Sequence, residues 1–161
     1  MNIPGVSDST SFTILLIVNG VGIPGRLVPA YLADRYFGTL NVLIPTIFLC
    51  AACLYLWATV HSLTEDCVWA VFFGLFGAGI QGMFPSSLAG LTNDPSKNGT
   101  LIGMVFTIVS VACLTGPPLA GGLVQAAGGK YIAAQAWGGS CLVLGGLILV
   151  AAKLATRTGK M

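Results

Sequence analysis

Residues 18–38 read VNGVGIPGRLVPAYLADRYFG, an apolar run with one charge in its middle and two at its end. The central charge is Arg26, and Asp34 and Arg35 close the run. A guanidinium stays protonated at any ordinary pH, so in hydrocarbon it requires water or an anionic partner. Arg26 is therefore the first candidate for a functional residue.

The composition of the chain is that of a membrane protein. Hydrophobic residues make up 55% of its 161 residues, and charged residues only 7%. A soluble domain needs about a quarter of its residues charged to cover its surface. We therefore predict an all-α integral membrane protein that is embedded in the lipid bilayer. Nucleic acid is not an expected partner, because the sequence has no basic run that could follow a phosphate backbone.

Five apolar runs are long enough to span a bilayer as helices, which takes about 20 residues at a rise of about 1.5 Å each. The runs are continuously apolar rather than alternating, which favours helices over the strands of a membrane barrel. Residues 1–10 would form an N-terminal tail and residues 154–161 a C-terminal tail. The predicted spans cover residues 11–33, 40–60, 67–91, 101–125 and 131–153.

The basic residues predict the orientation of these spans. One side of the membrane would carry only Lys130, and the other would carry Arg35, Lys97, Lys153, Arg157 and Lys160. By the positive-inside rule the C-terminus is cytoplasmic and the N-terminal tail is extracellular, with the plasma membrane as the expected location. Glu65 and Asp66 would then form a solvated pair in the outer loop between the second and third spans.

The depth of Arg26 in its span supports a functional role. It precedes Asp34 by eight residues, which places it about 12 Å from that end of the helix, in a hydrocarbon core about 30 Å thick. Exposing it to lipid would cost at least about 2.5 to 3.5 kcal/mol, so we expect it to face the protein interior. Asn19 and Gly22 share its helical face and would line a cavity beside it.

Two alternatives remain open for the polar residues inside the spans. Arg26 could bind a ligand, or it could form an internal salt bridge or bond the backbone carbonyls that Pro24 and Pro29 free. Gln81, the other amide deep in a span, could contact a substrate or form a helix-to-helix hydrogen bond. We take Arg26, Asn19 and Gln81 as candidate substrate ligands, and Gly22, Pro24 and Pro29 as packing or bending positions.

The sequence carries no catalytic constellation. Its single histidine, His61, has no nucleophile at a defined spacing, and neither a phosphate loop nor a zinc-protease motif occurs. Cys50 and Cys53 form a C-x-x-C without a second pair or a histidine nearby, which favours packing over metal binding. We therefore expect no enzymatic activity, no metal and no cofactor.

Three motifs together resemble the C-terminal half of a major facilitator superfamily transporter, most closely the monocarboxylate-transporter-like porters of fungi. They are NGVGIPGR at residues 19–26, YLADR at residues 31–35 and GPPLAG at residues 116–121. The resemblance covers residues 11–153 and makes the five spans helices eight to twelve of such a transporter. It implies a bundle that works by alternating access together with an N-terminal half.

The resemblance also implies roles for single residues. Arg26 is similar to the arginine that in this family engages the substrate carboxylate and takes part in proton coupling. Residues 31–35 resemble the cytoplasmic gating motif, with Asp34 and Arg35 as its charged pair, although one extra residue precedes Gly38. The animal carriers have an aspartate where Gly22 stands here. In the fourth span, the residues that resemble a packing and bending element are Gly116, Pro117, Pro118 and Gly121.

The sequence thus favours part of a secondary porter for small organic anions such as monocarboxylates, with a proton as the candidate coupled ion. We also expect that the chain is a fragment and that the missing N-terminal half is its partner. A second hypothesis is a multi-span membrane protein that does not transport, or an inactive truncation product.

Overall fold

The computed structural model describes residues 8–60, 62–90 and 95–158, and within them it contains helices and no strand. Each of the five α-helices is long and apolar enough to cross a membrane. The prediction of an all-α protein with five spanning helices is therefore confirmed. The elements are α1 (Asp8–Leu32), a π-helical turn (Ala33–Phe37), α2 (Thr39–Trp57), α3 (Leu63–Ala89), α4 (Pro95–Ala126) and α5 (Ile132–Thr158).

Helices α1 to α4 begin before the apolar runs that predicted them, and the difference is largest for α3 and α4. Helix α3 begins at Leu63, because Ser62 and Glu65 form a capping box in which each side chain accepts a hydrogen bond from the other residue's backbone N–H. Helix α4 begins at Pro95, a residue suited to a first helical position because its missing N–H would have no partner there. Hydropathy marks the apolar part of a helix, whereas polar residues extend it.

The expectation of a solvated acidic pair in the outer loop is wrong for Asp66. This side chain lies in the first turns of α3 and is 2% exposed. Its Oδ1 accepts a hydrogen bond of 3.3 Å from Trp57 Nε1. Trp57 also stacks on Trp69, with 4.5 Å between ring centroids, and Trp69 Nε1 donates to the carbonyl of Cys53 at 2.7 Å. The two tryptophans thus join the C-terminal end of α2 to the start of α3 beside the buried carboxylate.

The helices pack as an open bundle. Helix α1 lies along α3, and α2 packs on both α3 and α5. The buried core at the end of the bundle near the π-helical turn consists of Ala33, Leu43, Ile47 and Met83. Helix α4 contacts only α3 and α5, and none of its apolar window is buried within the described structure.

Candidate functional site

Glycines allow α1 and α3 to approach backbone to backbone. A β-carbon added at Gly25 would lie 2.6 Å from the carbonyl oxygen of Leu75, and one added at Gly74 would lie 2.8 Å from that of Val18. Both distances are shorter than van der Waals contact, so glycine is required at these positions for this approach. Val18 lies against Gly74, Gly22 against Ala78 and Arg26 against Gly82, so the contacts advance in equal steps along both helices. Helices α1 and α3 therefore run in the same direction.

A cavity of 170 Å³ lies between α1 and α3 beside this contact. The structure places three sequence-predicted residues, Asn19, Arg26 and Gln81, in its wall together with Gly22. Arg26 Nη2 donates a hydrogen bond of 3.3 Å to Gln81 Oε1 and so connects the two helices at one end of the cavity. The complete lining is Val18, Asn19, Gly22, Arg26, Phe73, Gly74, Gly77, Ala78 and Gln81.

The guanidinium of Arg26 keeps most of its hydrogen-bonding capacity. Of its five N–H donors, one is used within the described residues. Its acceptor is Gln81 Oε1 at 3.3 Å, slightly longer than the usual range of about 2.7 to 3.2 Å. Over the same residues the structure shows neither a salt bridge to Arg26 nor a bond from it to the carbonyls that Pro24 and Pro29 free. The side chain is exposed on a helix that can span a membrane. Such a charge requires water or an anion on its open side.

The other predicted polar ligand is partly engaged. Asn19 Nδ2 donates to the carbonyl of Leu15 at 2.8 Å, one turn back along α1. This bond holds the amide against its own helix, and the carbonyl oxygen Oδ1 accepts no hydrogen bond within the described residues. Gln81 takes part in the helix-to-helix hydrogen bond that the sequence left open as one alternative.

The prolines of α1 act differently from each other. Pro29 has no N–H for the carbonyl of Gly25, and that oxygen lies 3.0 Å from the position that a β-carbon at Gly79 would take. Pro24 frees the carbonyl of Gly20, a residue whose added β-carbon would meet nothing within 4 Å. The carbonyl that Pro29 frees thus lies at the contact between α1 and α3.

Asp34 and Arg35 lie outside the cavity, in the π-helical turn that follows α1, and both side chains are exposed. The turn closes with a hydrogen bond of 2.8 Å from Gly38 N to the carbonyl of Ala33, and Gly38 has a φ of 78°. Asn41 Nδ2 donates to the carbonyl of Phe37 at 2.6 Å. The end of α1 is thereby joined to the start of α2.

The fourth-span motif lies within a continuous helix. Pro117 and Pro118 are inside α4, which runs on to Ala126. A β-carbon added at Gly116 or Gly121 would meet no atom within 4 Å. The packing and bending role of this motif stays a prediction.

Sequence reasoning did not name five residues of the cavity wall as site residues, and two of them, Phe73 and Gly77, lie on the helical face that carries Gln81. Both precede Gln81 on α3 at intervals of four residues, so a search for the face of α3 that carries Gln81 would have found them. Their apolar character hid them among the other residues of a span.

The described part of the chain contains no cluster of side chains suited to a metal ion. Across residues 8–60, 62–90 and 95–158, no three His, Cys, Asp or Glu side chains form a group that could hold a metal ion. Cys50 and Cys53 are buried free thiols on α2.

Comparison with known proteins places the chain in a family. The model of the Major Facilitator Superfamily matches residues 3–158. An MFS-type transporter of Gibberella zeae is 42% identical over 151 residues, which are 94% of this chain and 34% of the relative. No solved structure matches the chain.

Two further relatives carry more specific names. An aspyridones efflux protein of Emericella nidulans is 31% identical over 97% of this chain and 32% of its own length. An agnestins efflux protein of Paecilomyces divaricatus is 26% identical over 96% of this chain and 35% of its own length. The chain thus spans about one third of the length of the curated relatives it matches. Its five apolar helices and its match over nearly the whole sequence show that this multi-pass membrane chain belongs to the Major Facilitator Superfamily.

Proposed function

We propose that the chain forms part of the substrate pathway of a secondary transporter for small organic anions such as monocarboxylates. Arg26 is the anion contact, and Gln81 and Asn19 orient the bound group. The observation that carries this proposal is the cavity between α1 and α3, in which one guanidinium and two amides converge.

The chemistry of the cavity suits a carboxylate. A guanidinium binds both oxygens of a carboxylate through parallel N–H donors, and such charge-assisted bonds are about twice as strong as neutral ones. The amide of Gln81 already touches the guanidinium and can keep it in place. Phe73 gives the opposite end of the cavity an apolar wall for the body of an organic acid.

The names of two relatives favour export as the direction of transport. Both are efflux proteins, and together with this chain they share helices that include the proposed site. We therefore propose as a second candidate that the substrate is an exported organic compound larger than a simple monocarboxylate. Both candidates require an anion contact at Arg26.

Further elements around the site would complete the transporter. An N-terminal half would cover the open side of the cavity, and a proton is the candidate coupled ion. Asp34 and Arg35 would gate the pathway from a cytoplasmic π-helical turn, with the C-terminus also cytoplasmic in the plasma membrane. The non-transporting alternative predicts that none of these residues affects a flux.

A transport assay on a complete transporter that carries these helices tests the proposal. Arg26→Gln should lower the flux of a radiolabelled carboxylate at least about tenfold, since a hydrogen bond to a charged group contributes about 1.5 to 3 kcal/mol. Lys130→Gln removes a positive charge from the connector between α4 and α5 and serves as the control. Equal flux in the Arg26→Gln variant and the unmodified transporter, at equal surface expression, would reject Arg26 as the anion contact.

A further inference from the structure

One glycine of the cavity wall is not required by helix packing. A β-carbon added at Gly77 would have Cys50 Sγ and Phe73 Cζ as its nearest neighbours, both at 4.0 Å. This is ordinary van der Waals contact. On the same helix, a β-carbon at Gly74 would lie 2.8 Å from the Val18 carbonyl oxygen, and one at Gly79 would lie 3.0 Å from that of Gly25. Close backbone approach explains glycine at 74 and 79 but does not explain it at 77.

The order of residues along the cavity places Gly77 beside the body of a bound anion. Phe73, Gly77 and Gln81 follow one another on one face of α3 at intervals of about 6 Å. The cavity extends from Arg26 and Gln81 toward Asn19 and Phe73, and its lining includes no residue beyond Arg26 and Gln81 in the other direction. A carboxylate at Arg26 therefore directs the rest of its molecule past Gly77.

We infer that Gly77 sets the size of the organic anion that the cavity accepts. The missing side chain leaves space next to the first atoms beyond the carboxylate, and Phe73 ends that space. An alanine at this position would fill it without displacing backbone, because its nearest neighbours are side chains at contact distance. The inference rests on the proposed function, since it concerns the ligand held by Arg26.

The magnitude of the effect follows from the volume of a single carbon. One methyl group more or less in a substrate pocket changes discrimination between ligands by about 10- to 200-fold. Acetate ends close to its carboxylate and would barely reach Gly77. An anion with a fused ring system, such as 2-naphthoate, would occupy the space that the added methyl group fills.

Equilibrium binding to the 161-residue chain in lipid nanodiscs tests the inference, with acetate, benzoate and 2-naphthoate as probes. Gly77→Ala should lower the ratio of 2-naphthoate affinity to acetate affinity at least tenfold. Gly103→Ala is the matched control, because a β-carbon there meets nothing within 4 Å and Gly103 does not line the cavity. This control should leave the ratio within twofold of that of the unmodified chain. Gly77→Ser, which adds a group of similar size, should repeat the effect of alanine.

The outcomes separate the inference from the proposed function. If Arg26→Gln abolishes probe binding but Gly77→Ala leaves the affinity ratio unchanged, the anion site stands and the size role of Gly77 is rejected. Equal losses for acetate and 2-naphthoate in both Gly77 variants would also reject it, because they indicate disturbed helices. If the unmodified chain binds no probe in an Arg26-dependent manner, the proposed function fails and the inference fails with it.

Discussion

Helices α3 and α4 are both long, rich in glycine and contain proline, yet their small residues lie in different surroundings. The glycines at 74, 79 and 82 of α3 each meet α1 within 3.2 Å of where a β-carbon would stand. In α4, added β-carbons at 99, 103, 116, 121 and 122 would meet nothing within 4 Å. Small residues thus permit close helix packing. Whether a neighbouring helix packs against them depends on where its backbone lies.

The same comparison explains where the cavity lies. Backbone contact at Gly25 and Gly74 fixes α1 against α3, and the larger side chains of Arg26 and Gln81 then meet at the edge of that contact. Helix α4 has no comparable contact within the described residues, and it lines a different space that it shares with α2 and α5. The polar site thus combines a fixed helix pair with polar side chains that meet at its edge.

The largest effect is expected from breaking the α1–α3 contact. Gly25→Leu would place its β-carbon 2.6 Å from the Leu75 carbonyl oxygen. Backbone atoms cannot move aside as a flexible side chain can. Overpacking costs about 1 to 3 kcal/mol where side chains can adjust, so we expect a loss of about 3 kcal/mol or more in the free energy of unfolding. This free energy can be measured by extracting the chain from nanodiscs and titrating it with a denaturing detergent.

Gly103→Leu on α4 is the control for that substitution. It adds the same side chain to open space, and replacing a helical glycine by leucine gains about 0.5 to 1 kcal/mol in helix propensity. Its free energy of unfolding should therefore be equal to or above that of the unmodified chain. A loss at position 103 as large as at position 25 would show that the two helices do not differ as described.

A smaller effect separates two glycines of α3 itself. Gly74→Ala should destabilise the chain by about 1 to 3 kcal/mol, because the added carbon meets the backbone of Val18. Gly77→Ala should cost nothing measurable, since its neighbours lie at contact distance. The two variants carry the same chemical change three residues apart, and thermal unfolding followed by circular dichroism compares them. Equal melting temperatures would argue against backbone contact at Gly74.

The smallest effect concerns the start of α3, which a local motif determines. Ser62→Ala removes the hydroxyl that accepts a hydrogen bond from Glu65 N at 3.3 Å. Loss of such a cap costs about 1 kcal/mol. Amide hydrogen exchange should show faster exchange in the first turn of α3 and unchanged exchange near Gly74. Unchanged protection throughout α3 would mean that the capping box does not stabilise this end.

Hydropathy predicted the five helices because a spanning segment must be apolar over about 20 residues regardless of its neighbours. The intramembrane charge identified Arg26 for a similar reason, since a guanidinium at the depth of the hydrocarbon core is costly in any fold. Helical spacing then placed Asn19 and Gly22 on its face, and the structure finds all three in one cavity wall. Their part in binding a substrate remains a prediction.

The features that the sequence did not predict depend on neighbours or on short local motifs. Asp66 is buried where Trp57 donates a hydrogen bond to it and stacks on Trp69, which no property of residues 63–67 indicates. The earlier start of α3 was readable in principle from the Ser62-x-x-Glu65 pattern. The extra residue before Gly38 was visible as a departure from the gating motif, and the structure accommodates it as a π-helical turn. Which glycines contact backbone required the position of the second helix.

The central claim is that Arg26 binds an organic anion between α1 and α3, and a pair of arginine variants tests it most directly. Benzoate binding to the 161-residue chain in nanodiscs would be compared between Arg26→Gln and Arg35→Gln, which remove the same charge from the cavity and from the exposed π-helical turn. A lost charge-assisted hydrogen bond of about 1.5 to 3 kcal/mol predicts a decrease in affinity of about 10- to 150-fold for Arg26→Gln. Arg35→Gln should change the affinity less than about twofold. Equal affinities in the two variants would contradict the account.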